Sequence, residues 1–387
     1  MPPRRISPSS YQIPQDLTPS LPAINQSACP LFTHIPAEIR NKIYYYTLES
    51  SSSSDTTSDT AATYAQQALY YRPGFKAPKR ISTSLLQTCQ QIYGEASLLP
   101  PAINRHTFWC HRPPPHVRHA ASPADYFARM TPKQRGAVQE LHFFTQQFFL
   151  EDSWAQVWTA TSDVGALAPK RMTITLRHTD WWFWEDNEPL GIDPFRPGRT
   201  RADEMGVLPR RPLTAWEEGR VWGNQFKLLP SLEELVIEFE TVMRKRDQLD
   251  AIVQMARDWR FPVGVEDEET GEKVFLVAEE GSRRAYTWIG AKEEILRNVV
   301  MGAAGRNRQQ EGGGAAGDAA VKPPPRLVPF DADKEFKTAA AASQHQDGEG
   351  DTTTAEQGGP KKNEDFDPAT EEKFYVVFLT WRRQRID

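Results

Sequence analysis

The stretch EEKFYVVFLTWRRQRID, residues 371–387, decides the fold class. Phe374, Val376, Phe378 and Thr380 alternate with Tyr375, Val377, Leu379 and Trp381, the period-2 pattern of a strand. Both alternating sets are apolar, so this strand is expected inside a sheet that is covered on both faces. Its partners have to come from before residue 302. Residues 302–370 hold GGGAAGDAA, a Pro323-Pro324-Pro325 run and DGEGDTTTAEQGG, too poor in branched apolar residues to bury a core. They read as a long disordered insertion within one domain.

Composition agrees with that division. Only 39% of the 387 residues are hydrophobic, yet there are 11 Trp and 19 Phe, which bury large areas. Residues 302–370 carry 12 acidic against 8 basic residues, so -4 of the formal net charge of -5 lies there. All the tryptophans lie outside the polar tracts. The near balance of charge argues against a basic nucleic-acid surface. The longest apolar runs, Val274 to Ala278 and Tyr375 to Leu379, fall far short of the roughly 18 to 20 residues that cross a membrane. Arg4 and Arg5 are followed by no apolar stretch of the kind a secretory signal needs. Cys29, Cys89 and Cys110 are odd in number and show no CxxC spacing, which points to a reducing intracellular compartment, cytoplasm or nucleus.

The remaining order of segments follows from period and punctuation. Residues 1–30 read as a disordered arm, residues 31–110 as a helical module interrupted by a Ser-rich loop at 51–60, and residues 111–135 as a Pro/His-rich loop. Residues 136–301 form a strand-rich domain that residues 371–387 complete. In the module, Ile39, Ile43 and Tyr46 recur at helical spacing after Pro36, and Leu85, Cys89, Ile92, Tyr93, Ala96 and Leu99 make a second stripe. Ser84 with Gln87 offers a capping box, and Pro100-Pro101 is expected to end that helix. Cys89 is expected as a small buried thiol. Downstream, VQELHFFTQQFF, MTITLRHTDWWFW, LEELVIEFET, KVFLVAE and RRAYTWIG read as strands, and Leu249, Ile252, Val253, Ala256 and Trp259 mark a helix from Arg246 to Trp259. The turn Glu279-Glu280-Gly281-Ser282 suggests a hairpin. Pro230 to Ile237 looks like one turn of a leucine-rich unit, echoed by Val138 to Phe143, which gives the domain a degenerate leucine-rich character without a regular repeat.

Ile35-Pro36-Ala37-Glu38-Ile39-Arg40-Asn41-Lys42-Ile43-Tyr44 and Leu85-Leu86-Gln87-Thr88-Cys89-Gln90-Gln91-Ile92-Tyr93-Gly94-Glu95-Ala96, with Asn104 and Phe108, resemble the paired helices of F-box-like modules in fungal proteins. The match covers roughly residues 31–110. The resemblance implies a substrate receptor whose module binds a Skp1-type linker of a cullin ubiquitin ligase while the downstream domain selects a client. It implies Ile35, Pro36, Ile39 and Ile43 as the linker-facing residues.

Other constellations are weighed on their chemistry. His106, Cys110, His111, His116 and His119 cluster in HTFWCHRPPPHVRH, but without the paired offsets of a zinc motif, so no metal or other cofactor is expected. On a strand continuing from Met172 to Leu176, Trp182 and Trp184 would share one face, with Trp181 and Phe183 on the other. Trp181, Trp182 and Trp184 are thus the candidate client or ligand surface, against the plainer role of packing. Arg196, Arg199, Arg201, Arg210 and Arg211 read as a solvated loop. The expectation is an α+β protein, a helical module on a mixed helix and strand domain, acting as a non-enzymatic adaptor; the alternative is a ligand-binding or hydrolytic domain using residues 180–186.

Overall fold

Among the described residues nine strands make the main sheet: β1 (His106–Trp109), β2 (Glu140–Phe144), β3 (Arg171–Leu176), β4 (Glu234–Val242), β5 (Arg260–Pro262), β6 (Lys273–Ala278), β7 (Arg284–Ala291), β8 (Val328–Pro329) and β9 (Glu371–Ile386). This computed structural model describes residues 25–26, 28–52, 68–75, 79–111, 113–114, 122–209, 211–264, 273–298, 325–331 and 367–386. Most of the expected arm, Ser-rich loop and insertion therefore lies outside the described residues.

The order across the sheet is β8-β7-β9-β4-β3-β2-β1. β1 to β4 run parallel in chain order, and β9 joins β4 antiparallel, Phe374 opposite Val242 and Arg382 opposite Glu234. The fold is α+β, and the doubly apolar β9 lies mid-sheet as its pattern requires. The two leucine-rich echoes occupy equivalent rungs: Leu141, Met172 and Leu235 are in register, as are Phe143, Ile174 and Ile237.

The sheet's two faces differ because the pleat sorts alternate residues. Leu141, Phe143, Ile174, Ile237, Leu379 and Trp381 point to one face and are buried. Helices α4 (Pro123–Ala128), α7 (Trp154–Val164) and α8 (Arg246–Ala256) cover that side. Trp154 and Trp158 meet Phe143 edge-on, and the rings of Trp259 and Trp381 stack 6.2 Å apart. On the other face, residues 68–75 cross the strands. Phe75 packs on Phe144, and Arg72 is buried against Glu238 and Glu240. There the Thr175 hydroxyl donates to Glu238 and accepts from the His142 Nε2–H, and burial holds the His142 pKa well below the usual imidazole value, which favours its neutral form.

Helix α1 (Ala37–Leu48), α2 (Gln90–Ala96) and α3 (Leu99–Ile103) have a smaller core of their own, centred on Tyr44, Leu48, Ile92 and Ala96.

Several expectations need correction. Pro100 and Pro101 lie in the first turn of α3 and do not end a helix, since proline's missing N–H costs nothing there. The expected capping box at Ser84 is a 3-10 turn without a side-chain cap; the Cys89 thiol instead caps α2, accepting from Ile92 N–H at 3.5 Å. The expected loop at 111–135 contains α4 and the start of α5 (Pro132–Ala137). Ser122 and Thr131 cap these helices, each followed by a proline at the first helical position. Phe108 and β1, placed by sequence in the helical module, belong to the main sheet. Within 302–370, residues 328–329 form β8 against β7, and Phe330 packs on Tyr375. α8 ends at Ala256, with Trp259 buried just beyond.

The expected β6–β7 hairpin is absent. β6 and β7 do not pair with each other; both pair with β9 on the same side, end to end. A 16-residue strand has length for two short partners in line. Glu279 to Ser282 is a bulge in that composite strand, held by Glu279 N–H and the Ser282 hydroxyl on the Thr380 carbonyl.

Candidate functional site

Two surfaces come from residues singled out by sequence. The first is α1. Tyr44 and Leu48 turn inward, whereas Ile39, Ile43 and Tyr46 are 46%, 38% and 74% exposed on successive turns of the other side. Of the remaining linker-facing candidates, Pro36 is exposed at the helix start and Ile35 is half-buried, its carbonyl accepting from Arg40. The motif's polar residues hold the unit together. Arg40 and Tyr44 both donate to Glu95, and Asn104 caps the C-terminal end of α1 by donating to the Leu48 carbonyl and accepting from Ser50 N–H. Burial works against the Glu95 carboxylate, but the hydrogen bonds from Arg40, Tyr44 and Gln91 outweigh it and keep its pKa below the ordinary value.

The second surface is the Trp-rich segment. β3 stops at Leu176 because Asp180 folds back on Arg177, accepting from its backbone N–H at 2.9 Å and from its guanidinium at 2.7 Å and 3.0 Å. The expected alternation of tryptophans along a continuing strand is therefore overturned. Trp181 and Trp184 are buried to 3% and 2% exposure, and the Trp181 indole donates to the Glu240 carbonyl of β4. Trp184 is directed into the core and is no open client surface, whereas Trp181, though buried, lines the cleft beside Trp182. Trp182 alone of the three is half-exposed.

Trp182 stands beside a cleft of about 420 Å³ just past the carboxyl ends of β2 and β3. Three of its lining residues are tied to one carboxylate. Glu151 of α6 (Gln147–Asp152) accepts from the Gln147 amide at 2.9 Å, from the Trp182 indole at 2.6 Å and from Thr200 N–H at 3.4 Å. Burial pushes the Glu151 pKa up to about 7, although each of these donors opposes the shift. Gly191 passes so near Ala202 that a Cβ would lie 2.7 Å from its backbone nitrogen, which closes one end of the cleft.

The backbone along this wall is strained. Phe183 and Asn187, at φ 48° and 56°, are left-handed on either side of a short 3-10 turn. For a bulky residue such as Phe this costs on the order of 1 to 2 kcal/mol. The Arg199 guanidinium sits 3.8 Å above the Phe183 ring and holds it there.

The other sequence candidates do not gather. Both nitrogens of His106 are engaged, with Tyr126 and the Pro101 carbonyl, while His116 and His119 lie outside the described residues. Among the described residues no group of three or more His, Cys, Asp and Glu could hold a metal ion, and no helix is long and apolar enough to cross a membrane. Arg196 and Arg211 pair with Asp193 and Glu217, and Arg210 is outside the described residues. Gln147, Glu151, Thr200 and Asp203 were not foreseen. The one sequence signal was an acid in the apolar run FFLEDSW, where a buried carboxylate needs donors from elsewhere.

Comparison with protein-family models, with curated proteins and with solved structures found no match for this chain.

Proposed function

We propose that the chain is a non-enzymatic protein-interaction adaptor that docks a Skp1-type linker of a cullin ubiquitin ligase through α1, with the sheet domain carrying the client surface. The observation that carries the reading is the exposed Ile39–Ile43–Tyr46 stripe. Three large side chains at successive turns stay partly open to solvent outside the small core behind them, and such an apolar row is what a partner helix or groove would cover. The resemblance of the paired helices to F-box-like modules supplies the partner's class. Rigidity also supports it, because Glu95 and Asn104 fix α1 to α2 and α3 before any partner arrives.

An enzymatic reading draws less support. Glu151, the carboxyl behind the cleft wall whose pKa burial raises to about 7, has both oxygens engaged by Gln147, Trp182 and Thr200. It therefore acts as a structural tie.

The test is coexpression of the full chain with a Skp1-type protein and purification on a tag carried by either partner. Copurification that Ile39→Asp and Ile43→Asp abolish, in variants whose thermal melts match the parent, is the expected result. Absence of a complex with the parent chain, or a complex that both substitutions leave intact, would reject the reading.

A further inference from the structure

We propose that the cleft beside Trp182 is a binding site for a neutral saccharide. The inference uses a surface distinct from α1 and stands apart from the adaptor reading.

Place and size come first. The cleft opens beyond the carboxyl ends of two adjacent parallel strands, β2 and β3. Its volume of about 420 Å³ suits one or two sugar rings. Its walls are preset, since Gln147, Trp182 and Thr200, from three separate segments, converge on Glu151. Phe183 and Asn187, the strained positions, adjoin the lining residues Trp182 and Glu188 in sequence without lining the cleft themselves.

The charges select the chemistry. Arg199, Arg201, Glu188 and Asp203 all line the cleft. None of the four has an ion-pair partner among the described residues, although Arg199 lies over the Phe183 and Trp182 rings and Glu188 feels the Lys245 charge, whereas Arg196 and Arg211 on the same loop are neutralised by Asp193 and Glu217. A guanidinium only donates hydrogen bonds and a carboxylate only accepts them. An anionic ligand would meet Glu188 and Asp203, and a cationic ligand would meet the two arginines. A hydroxyl donates and accepts, so a neutral polyol can satisfy both signs without repulsion. The Trp182 ring adds an apolar surface, which suits the C–H face of a pyranose, while its indole N–H stays on Glu151. A zwitterionic amino acid matches the two signs but offers a single donor group and a single acceptor group to four charged side chains.

The test is isothermal titration of the full chain with glucose, galactose, mannose, N-acetylglucosamine, maltose and cellobiose. Glucuronate, glucosamine and phenylalanine serve as charged and zwitterionic comparators. The expected result is millimolar or tighter binding of at least one neutral sugar, weakened roughly tenfold or more by both Trp182→Ala and Asp203→Asn. Asp203 is exposed and unpaired, so its variant keeps the test decisive if Trp182→Ala does not fold. Binding by none of the neutral sugars, binding confined to a comparator, or neutral-sugar binding that Asp203→Asn leaves unchanged would overturn the proposal.

Discussion

Arg72 reaches Glu240 across 168 residues of sequence, its Nη1 3.2 Å from the Glu240 Oε2, while its Nη2 lies 2.9 Å from Glu238. The guanidinium is buried on the face of the sheet opposite the helices, and both acids belong to β4. Arg72→Ala would leave two buried carboxylates without their cation, an expected loss of about 3 to 5 kcal/mol. Replacing all three charges together, with Arg72→Met, Glu238→Gln and Glu240→Gln, is expected to cost less than the single change. Urea denaturation measures both; a single variant within about 1 kcal/mol of the parent would show that the latch contributes little.

Glu151 predicts a pH dependence whose sign can be worked out. Its folded pKa of about 7 lies above the ordinary 4.5, so between these values the folded chain keeps a proton that the unfolded chain has released. The group therefore favours folding most at low pH, and its own contribution falls as pH rises from about 4.5 to about 7, by about 3 kcal/mol in all, against the opposite slope of His178, whose pKa burial lowers to about 4. Glu151→Gln should flatten that slope. Denaturation at intervals across the window checks it, and an unchanged slope would mean that another group carries the dependence.

Asn104→Ala should loosen the helical unit. The side chain donates to the Leu48 and Pro100 carbonyls and accepts from Ser50 N–H, all near the end of α1. Its loss leaves buried groups unpaired, an expected cost of about 2 to 3 kcal/mol. Hydrogen exchange should quicken at Ser50 and in the last turn of α1 before it changes in β9.

Trp381 and Arg382 are neighbours with opposite expectations. Trp381 is buried, stacked on Trp259 and donating to its carbonyl, so Trp381→Ala should cost about 3 to 5 kcal/mol. Arg382 is exposed, and its pairs with Glu234 and Glu279 are at the surface, so Arg382→Ala should cost less than about 1 kcal/mol. Thermal melts of the two variants separate these predictions.

What could be read from sequence was what local pattern determines. β9 announced its place because both of its alternating sets are apolar, and α8 because Leu249, Ile252, Val253 and Ala256 repeat at helical spacing. What escaped was set by partners distant in the chain. Whether β6 and β7 pair with each other or in line along β9 depends on a strand about 90 residues later, which turn residues cannot report. Trp181 and Trp184 looked like a surface because a continuing strand was assumed; the Arg177–Asp180 pair that ends β3 lies within seven residues of both, yet its geometry has no simple signature. The charged half of the candidate cleft was read as a solvated loop, since nothing local distinguishes Arg199 and Arg201 from Arg196 and Arg211. Only the fold shows which of them found acids.

β9 lies inside the sheet but follows the sheet's other eight strands in sequence. During synthesis, β4 and β7 therefore leave the ribosome with their inner edges unpaired and stay so until residues 371–386 have emerged. The helical unit, whose core needs nothing beyond Ile103, can settle while the rest is still being made. A message cut short before Glu371 would yield a folded head on a sheet lacking its middle strand, with two long open edges for quality control to recognise.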